Sequence, residues 1–301
     1  MRTIQTYSLL AYLLLLPVIG FSNTGINKKE KHTKEKTIKK QFNVSANATL
    51  KIDNSYGNLD IVTWNENKID IEVIITIKGN NEEKVQEKLD NITVDFNSTN
   101  SLVSAKTIFN KNKSSWWNWN SNNNLNMTIN YVVKMPITNA VDLSNDYGNI
   151  NLDKLEGRAI LDCDYGKITT KELMAKNNRI SFDYTSNCYF EYINTGEIIA
   201  DYSGFTVAKA KDLEIVADYT SSKIQTVENI KYEADYGSIK IDKANNINGV
   251  GDYLTVVIGD VYKNVNIEAD YGSIKIDRLT QQAKNVNIES EYTGIKIGHV
   301  A

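Results

Sequence analysis

The sequence predicts an all-β chain: a single-stranded parallel β-solenoid (β-helix) with coils of about 18 residues, preceded by a β-rich capping excursion that carries one short helix. Three observations predict it. First, an acidic residue followed by tyrosine recurs at Asp146-Tyr147, Asp164-Tyr165, Asp183-Tyr184, Asp201-Tyr202, Asp218-Tyr219, Asp235-Tyr236, Asp252-Tyr253, Asp270-Tyr271 and Glu291-Tyr292. Successive tyrosines from Tyr147 to Tyr271 are 17, 18 or 19 residues apart, and the last step is 21. Second, each repeat alternates. Position −4 from the tyrosine is mostly apolar, −2 is mostly small, and +3 and +5 are mostly apolar, as in Ile239/Ile241 and Ile274/Ile276. Period-2 alternation on both sides of a Gly/Ser/Thr break reads as strand, bend, strand. Third, a further copy stands upstream, where Leu50, Ile52, Asn54, Tyr56, Gly57, Leu59 and Ile61 fit the same phase.

Two strands of about five residues cannot stand alone, but stacking like units about 4.8 Å apart buries the apolar stripe of each. A hairpin array would need a tight turn at every connection, whereas one coil per repeat needs none.

The elements follow in chain order. Met1–Ser22 reads as a secretory signal peptide, with Arg2 as its positive end, Leu9–Ile19 as its apolar stretch and Gly20-Phe21-Ser22 before the cleavage point. The competing reading is a retained membrane anchor. No later segment is apolar enough to span a bilayer as a helix, so the mature chain is expected to be exported: periplasmic, at the outer-membrane surface or secreted. Residues 23–40 carry seven lysines against two glutamates, a basic tract on a body more acidic than the net −3 of the whole chain. That tract is expected to be a solvated linker, with attachment to an anionic surface as the alternative.

Residues 41–140 are expected to hold the first coil and the capping subdomain. In the latter, Ile69, Ile71, Val73, Ile75 and Ile77 alternate as a long strand. Val85, Leu89 and Ile92 sit at helical spacing after Asn81, and strands follow near Ile92–Phe96, Leu102–Phe109 and Leu125–Lys134. Covering the first coil would protect an edge that otherwise invites intermolecular pairing. Residues 141–301 are the repeat solenoid.

In such a stack like side chains form columns. The tyrosines Tyr56, Tyr147, Tyr165, Tyr184, Tyr202, Tyr219, Tyr236, Tyr253, Tyr271 and Tyr292 share the parity of the inward −4 and −2 positions. They are expected to point into the core, their hydroxyls satisfying carbonyls of the bend. The alternative is an exposed tyrosine face that binds sugars or partners. The acidic residues then face outward, each expected to accept from a backbone N–H of its own bend, with Lys223, Lys240, Lys275 and Lys296 screening the row. One carboxylate per coil is too sparse for calcium, which takes six to eight oxygens, so no metal site and no cofactor are expected.

Trp116, Trp117 and Trp119 cluster in an Asn/Ser-rich loop. They either pack back on the solenoid or stack on sugar rings of a surface glycan. Cys163 and Cys188 occupy different coil phases, so two thiols and one bridge both remain open. Only two histidines occur, His32 and His299, and no nucleophile, P-loop or zinc-protease motif is present, so no catalytic residues are assigned. The negative net charge argues against a dedicated nucleic-acid binder.

The segments TLKIDNSYGNLDIVTW (Thr49–Trp64), YVVKMP (Tyr131–Pro136) and VDLSNDYGNINLDKLEG (Val141–Gly157) resemble the adhesin-like β-solenoid families of bacterial envelope proteins, among them the auto-transporter adhesin head-domain group. The resemblance runs over most of Phe42–Ala301. It implies an exported, non-enzymatic envelope rod with an adhesin-like or scaffolding surface whose partner is a surface glycan or an envelope protein. A carbohydrate-binding or polysaccharide-degrading β-helix and an envelope-signalling accessory are the alternatives.

Overall fold

The computed structural model describes residues 31–110 and 125–301. The solenoid begins with β2 (Thr49–Ser55) and β3 (Leu59–Trp64), one strand on each side of Tyr56. The second coil is β8 (Ala140–Asp146) and β9 (Ile150–Leu152), and the third is β10 (Ala159–Asp164) and β11 (Ile168–Leu173). After β12 (Asn178–Asp183) the post-bend strand of one coil runs on into the pre-bend strand of the next. The result is β13 (Cys188–Asp201), β14 (Gly204–Asp218), β15 (Ser221–Asp235), β16 (Ser238–Val250) and β17 (Thr255–Glu268). The rod closes with β18 (Ser273–Leu279), β19 (Asn285–Glu289) and β20 (Gly294–Val300).

Coil-to-coil pairing is parallel and sets like phases opposite one another, with one extra residue bulged out of β17 where it passes Ala244 and Asn246 of β16. Asp201 stands opposite Asp218, Ile198 opposite Ile215, and Val207 opposite Ile224. Identical phase puts like residues over like. The inward columns Leu50–Val141–Ala159 and Ile52–Leu143–Leu161–Ile180–Ile198–Ile215 therefore form one continuous buried core. Each buried Ile or Leu contributes roughly 1.5–3 kcal/mol of apolar burial. Where Phe182, Phe190 and Phe205 meet, stacked and edge-on rings 5.6–6.4 Å apart fill the interior.

The excursion lies over the first coil. Its strands are β4 (Lys68–Gly79), β5 (Ile92–Ser98), β6 (Leu102–Phe109) and β7 (Asn126–Pro136). β6 runs parallel to β2 and β7 parallel to β3, so together they extend both faces of the solenoid by one layer. β4 then pairs antiparallel with β7. The helix α1 (Glu82–Asp90) starts at Asn81, whose side chain accepts from the Lys84 N–H at 3.0 Å, and buries Val85 and Leu89. Ile92, spaced as a third helical residue, instead opens β5.

The basic tract departs from expectation. His32–Asn43 forms strand β1, paired antiparallel with β4 along its whole length. Ile38 and Phe42 pack against the core, Lys34 pairs with Glu82 at 3.0 Å, and Lys39 pairs with Glu72 at 3.0 Å. Two apolar residues four apart, together with an open edge on β4, turn a lysine-rich stretch into an edge strand whose charges discourage further pairing. The signal-peptide reading of 1–22, with Lys28 and Lys29 after it, falls outside the described residues. Among the described residues no helix is long and apolar enough to cross a membrane.

Candidate functional site: the tyrosine and amide columns

The tyrosines do not point into the core. All ten adopt the left-handed backbone conformation, with φ between 49° and 65°. A residue in that conformation breaks the in–out alternation of the strand before it, so the parity of −4 and −2 does not carry through to position 0. The ring swings outward instead. From Tyr147 to Tyr271 the rings are 48–54% exposed. Successive rings stack with centroids 4.8–5.3 Å apart and planes within 9° of parallel, in one row from Tyr56 to Tyr292. The coil spacing sets that distance, which exceeds direct face contact, so the rings are offset-stacked as aromatic quadrupoles prefer. At the capped end Phe109 meets Tyr56 edge-on at 6.1 Å.

Stacking has a chemical consequence. Ring faces are used up against one another, so along the row only ring edges and hydroxyls meet solvent. Sugar-on-face stacking is therefore closed to the inner rings; Tyr292, last in the row, is 81% exposed. Partial desolvation, the flanking phenols and the neighbouring carboxylates push the Tyr165 and Tyr236 hydroxyls above the usual phenol value, so these two are protonated at neutral pH.

Position −2 faces the interior, away from the exposed rings. Asn54 and Asn145 are buried and bonded to each other at 3.0 Å, and Asn145 also donates to the Gly57 carbonyl at 2.9 Å. At −2 of the Tyr253 coil stands Gly251, where a Cβ would lie 2.1 Å from the Ala234 carbonyl oxygen of the preceding coil and 3.1 Å from Cδ2 of Leu254, the one large bend residue.

The acidic column also departs from the expected bend hydrogen bond. Its members Asp146, Asp164, Asp183, Asp201, Asp218, Asp235, Asp252, Asp270 and Glu291 stand in register. From Asp164 onward each carboxylate oxygen accepts from the backbone N–H of the acidic residue one coil later. The distances are 3.2 Å for Asp183 N–H to Asp164, 2.8 Å for Asp252 to Asp235 and 2.6 Å for Glu291 to Asp270. The amides left unpaired at the bend are thus satisfied by the previous coil's side chain rather than by the residue's own turn. The bend is closed by hydroxyls: Thr185, Ser203, Thr220 and Thr293 donate to the carbonyl two residues back at 2.7–3.0 Å. Lys240 and Lys275 pair with Asp242 and Asp277, two residues along their own strands, not with the acidic column.

A second set of columns runs beside the tyrosine row. Seven residues before each late tyrosine stand Asp212, Asn229, Asn246, Asn264 and Asn285, chained by amide hydrogen bonds of 2.6–3.2 Å. Five residues before stand Glu214, Lys231, Asn248, Asn266 and Asn287, linked in two runs: Lys231 to Glu214 at 2.6 Å, and Asn248, Asn266 and Asn287 by amide bonds of 2.9 and 3.0 Å. Between the two rails runs a groove of about 730 Å³ that extends from Arg158 to Asn266. Its signal was present in the sequence as an Asn-x-Asn phase that repeats with the tyrosine interval.

Cys163 and Cys188 are both buried and unbridged. Burial pushes the Cys163 thiol up to about 12 and Cys188 up to about 11. Trp116, Trp117 and Trp119 lie outside the described residues. Among the described residues no three His, Cys, Asp or Glu side chains converge on a point that could hold a metal ion.

No family model and no curated protein matches the chain. Solved structures that it resembles include a proposed adhesin from Parabacteroides merdae (13% identity, TM-score 0.40, 88% of this chain and 97% of that one) and a proposed lipid binding protein from Parabacteroides distasonis (10%, 0.37, 87% and 97%). A proposed adhesin from Bacteroides fragilis matches at 14% identity and TM-score 0.31, over 87% of this chain and 97% of that one. At TM-scores below one half these likenesses carry no weight for the chemistry of the site.

Proposed function

We propose that the chain is an exported, non-enzymatic envelope rod with an adhesin-like or scaffolding role, and that the tyrosine row is its contact face. One observation carries this reading: ten tyrosines hold a left-handed backbone conformation, and eight of them in succession leave about half of each ring in solvent. That conformation costs a side-chain-bearing residue about 1–2 kcal/mol. Asn is better suited to it, as Asn177 and Asn187 of the same chain illustrate. Offset stacking returns about 0.5–1.5 kcal/mol per pair, so the rings roughly offset their own strain. What remains is a rigid row of amphipathic edges and hydroxyls, side chains that lose little entropy when they bind. From Asp164 to Asp270 the carboxylates beside them accept bonds between coils, and among the described residues the column offers no convergent acid–base pair.

The test uses Tyr219→Asn/Tyr236→Asn/Tyr253→Asn, which removes three rings while keeping residues at ease in the left-handed conformation. Labelled wild-type rod is expected to bind immobilised envelope fragments saturably, and the triple variant about tenfold less. Undiminished binding by a folded triple variant overturns the contact face. Depolymerisation of a polysaccharide by the wild type, abolished by a point substitution, overturns the non-enzymatic reading.

A further inference from the structure

We infer that the amide-railed groove is a second binding site, separate from the tyrosine face, and that it takes an extended chain of a neutral glycan. The argument starts from the register. Positions −7 and −5 both point outward, while the residue between them (Leu213, Ile230, Ile247 or Val265) points into the core. The rails therefore stand two residues apart, about 6.6 Å, and repeat at each coil about 4.8 Å further on. A repeating polymer laid along them meets the same chemistry at every rung.

That chemistry selects the polymer. Toward one end, Arg158, Arg179 and Lys231 are balanced by Glu197, Asp212 and Glu214, and Arg179 pairs with Glu197 as Lys231 does with Glu214. Toward the other end the walls are amides alone: Asn246, Asn248, Asn264 and Asn266. The groove thus has no net charge with which to hold a polyanion or a polycation. Each chained amide spends one N–H and one acceptor site along its rail, and keeps a second N–H and a second lone pair. A donor and an acceptor from both walls at every step suit the hydroxyls on the two edges of an uncharged sugar ring. Among the described residues no aromatic side chain lines the groove, so recognition there is by hydrogen bonding and repetition rather than by stacking.

Electrophoresis through gels containing mixed-linkage β-glucan, galactomannan, xylan, mannan or polygalacturonate tests this. The inference predicts that at least one neutral polysaccharide retards the protein. Asn248→Ala/Asn266→Ala, at exposed positions, should weaken that retardation about tenfold through the lost amides in a protein that still folds, the two bonds lost between coils lowering the thermal midpoint only slightly. The Tyr219/Tyr236/Tyr253 triple variant should be retarded like the wild type, which separates this site from the tyrosine face. The inference is overturned if no neutral polysaccharide retards the protein, if polygalacturonate retards it more than every neutral one, or if the folded Asn248/Asn266 variant is retarded as strongly as the wild type.

Discussion

The ring of Tyr232 lies over Gly249 of the following coil: a Cβ built on Gly249 would sit 2.0 Å from Tyr232 Cζ. The two residues are register partners at the inward −4 position, between Ile215 on one side and Ile267 on the other. A large ring beside an absent side chain fills one interior layer, and the pair replaces the Ile-on-Ile packing of the neighbouring coils.

The pair makes opposite predictions for its two members. Gly249→Ala forces the ring out of place and should destabilise the rod by about 1–3 kcal/mol, as core overpacking does. Tyr232→Phe keeps the ring and removes a buried hydroxyl that has no hydrogen-bond partner among the described residues, so it should stabilise by about 1 kcal/mol. Urea unfolding of both variants checks the signs.

The left-handed bend predicts an order among substitutions at one position. Tyr219→Asn loses a ring from the row but suits the backbone, whereas Tyr219→Val loses the ring and places a β-branched residue where such residues are outliers. The valine variant should be less stable than the asparagine variant by about 1–2 kcal/mol. Thermal melts of the two side by side measure it.

These positions also show how far the sequence could be read. The coil interval, the inward apolar columns and the capping strands were legible because period-2 alternation and a fixed repeat length are properties of the chain itself. The direction of Tyr147 and its fellows was not, since parity predicts facing only while φ stays negative, and a non-glycine left-handed residue leaves no mark in hydropathy. The acidic column's partners were missed for a related reason. Asp164 accepts from Asp183, a residue 19 positions away that only coil registration brings close. Asn246 and Asn264 could have been found by applying the tyrosine interval to the amides.

Crowding of carboxylates near the second to fourth coils predicts a pH effect. Partial desolvation, with the charges of Asp164, Asp146, Asp183 and Asp142, raises the Asp162 carboxyl above its ordinary value. A carboxyl raised in the folded state favours folding below its unfolded value of about 3.9, and that advantage is lost as pH rises through the folded value. Asp162→Asn removes the charge, so the variant should melt above the wild type at pH 7 and level with it near pH 3. Asp260 behaves in reverse: Arg278 holds it below the ordinary value, so Asp260→Asn should cost stability at pH 7 and little near pH 3.

The two cysteines should be silent in the folded rod. Both are buried, with thiols raised well above neutrality. Ellman's reagent at pH 8 should therefore find no reactive thiol in the native protein and two after unfolding, because the thiolate is the reacting species.

Nitration with tetranitromethane, mapped by mass spectrometry on the native protein, tests most directly whether the tyrosine row faces outward. Tyr202, Tyr219, Tyr236, Tyr253 and Tyr271, half in solvent, should be modified, while Tyr131 and Tyr232, fully buried, should be spared until the protein unfolds. Protection of the five equal to that of Tyr232 would contradict the account.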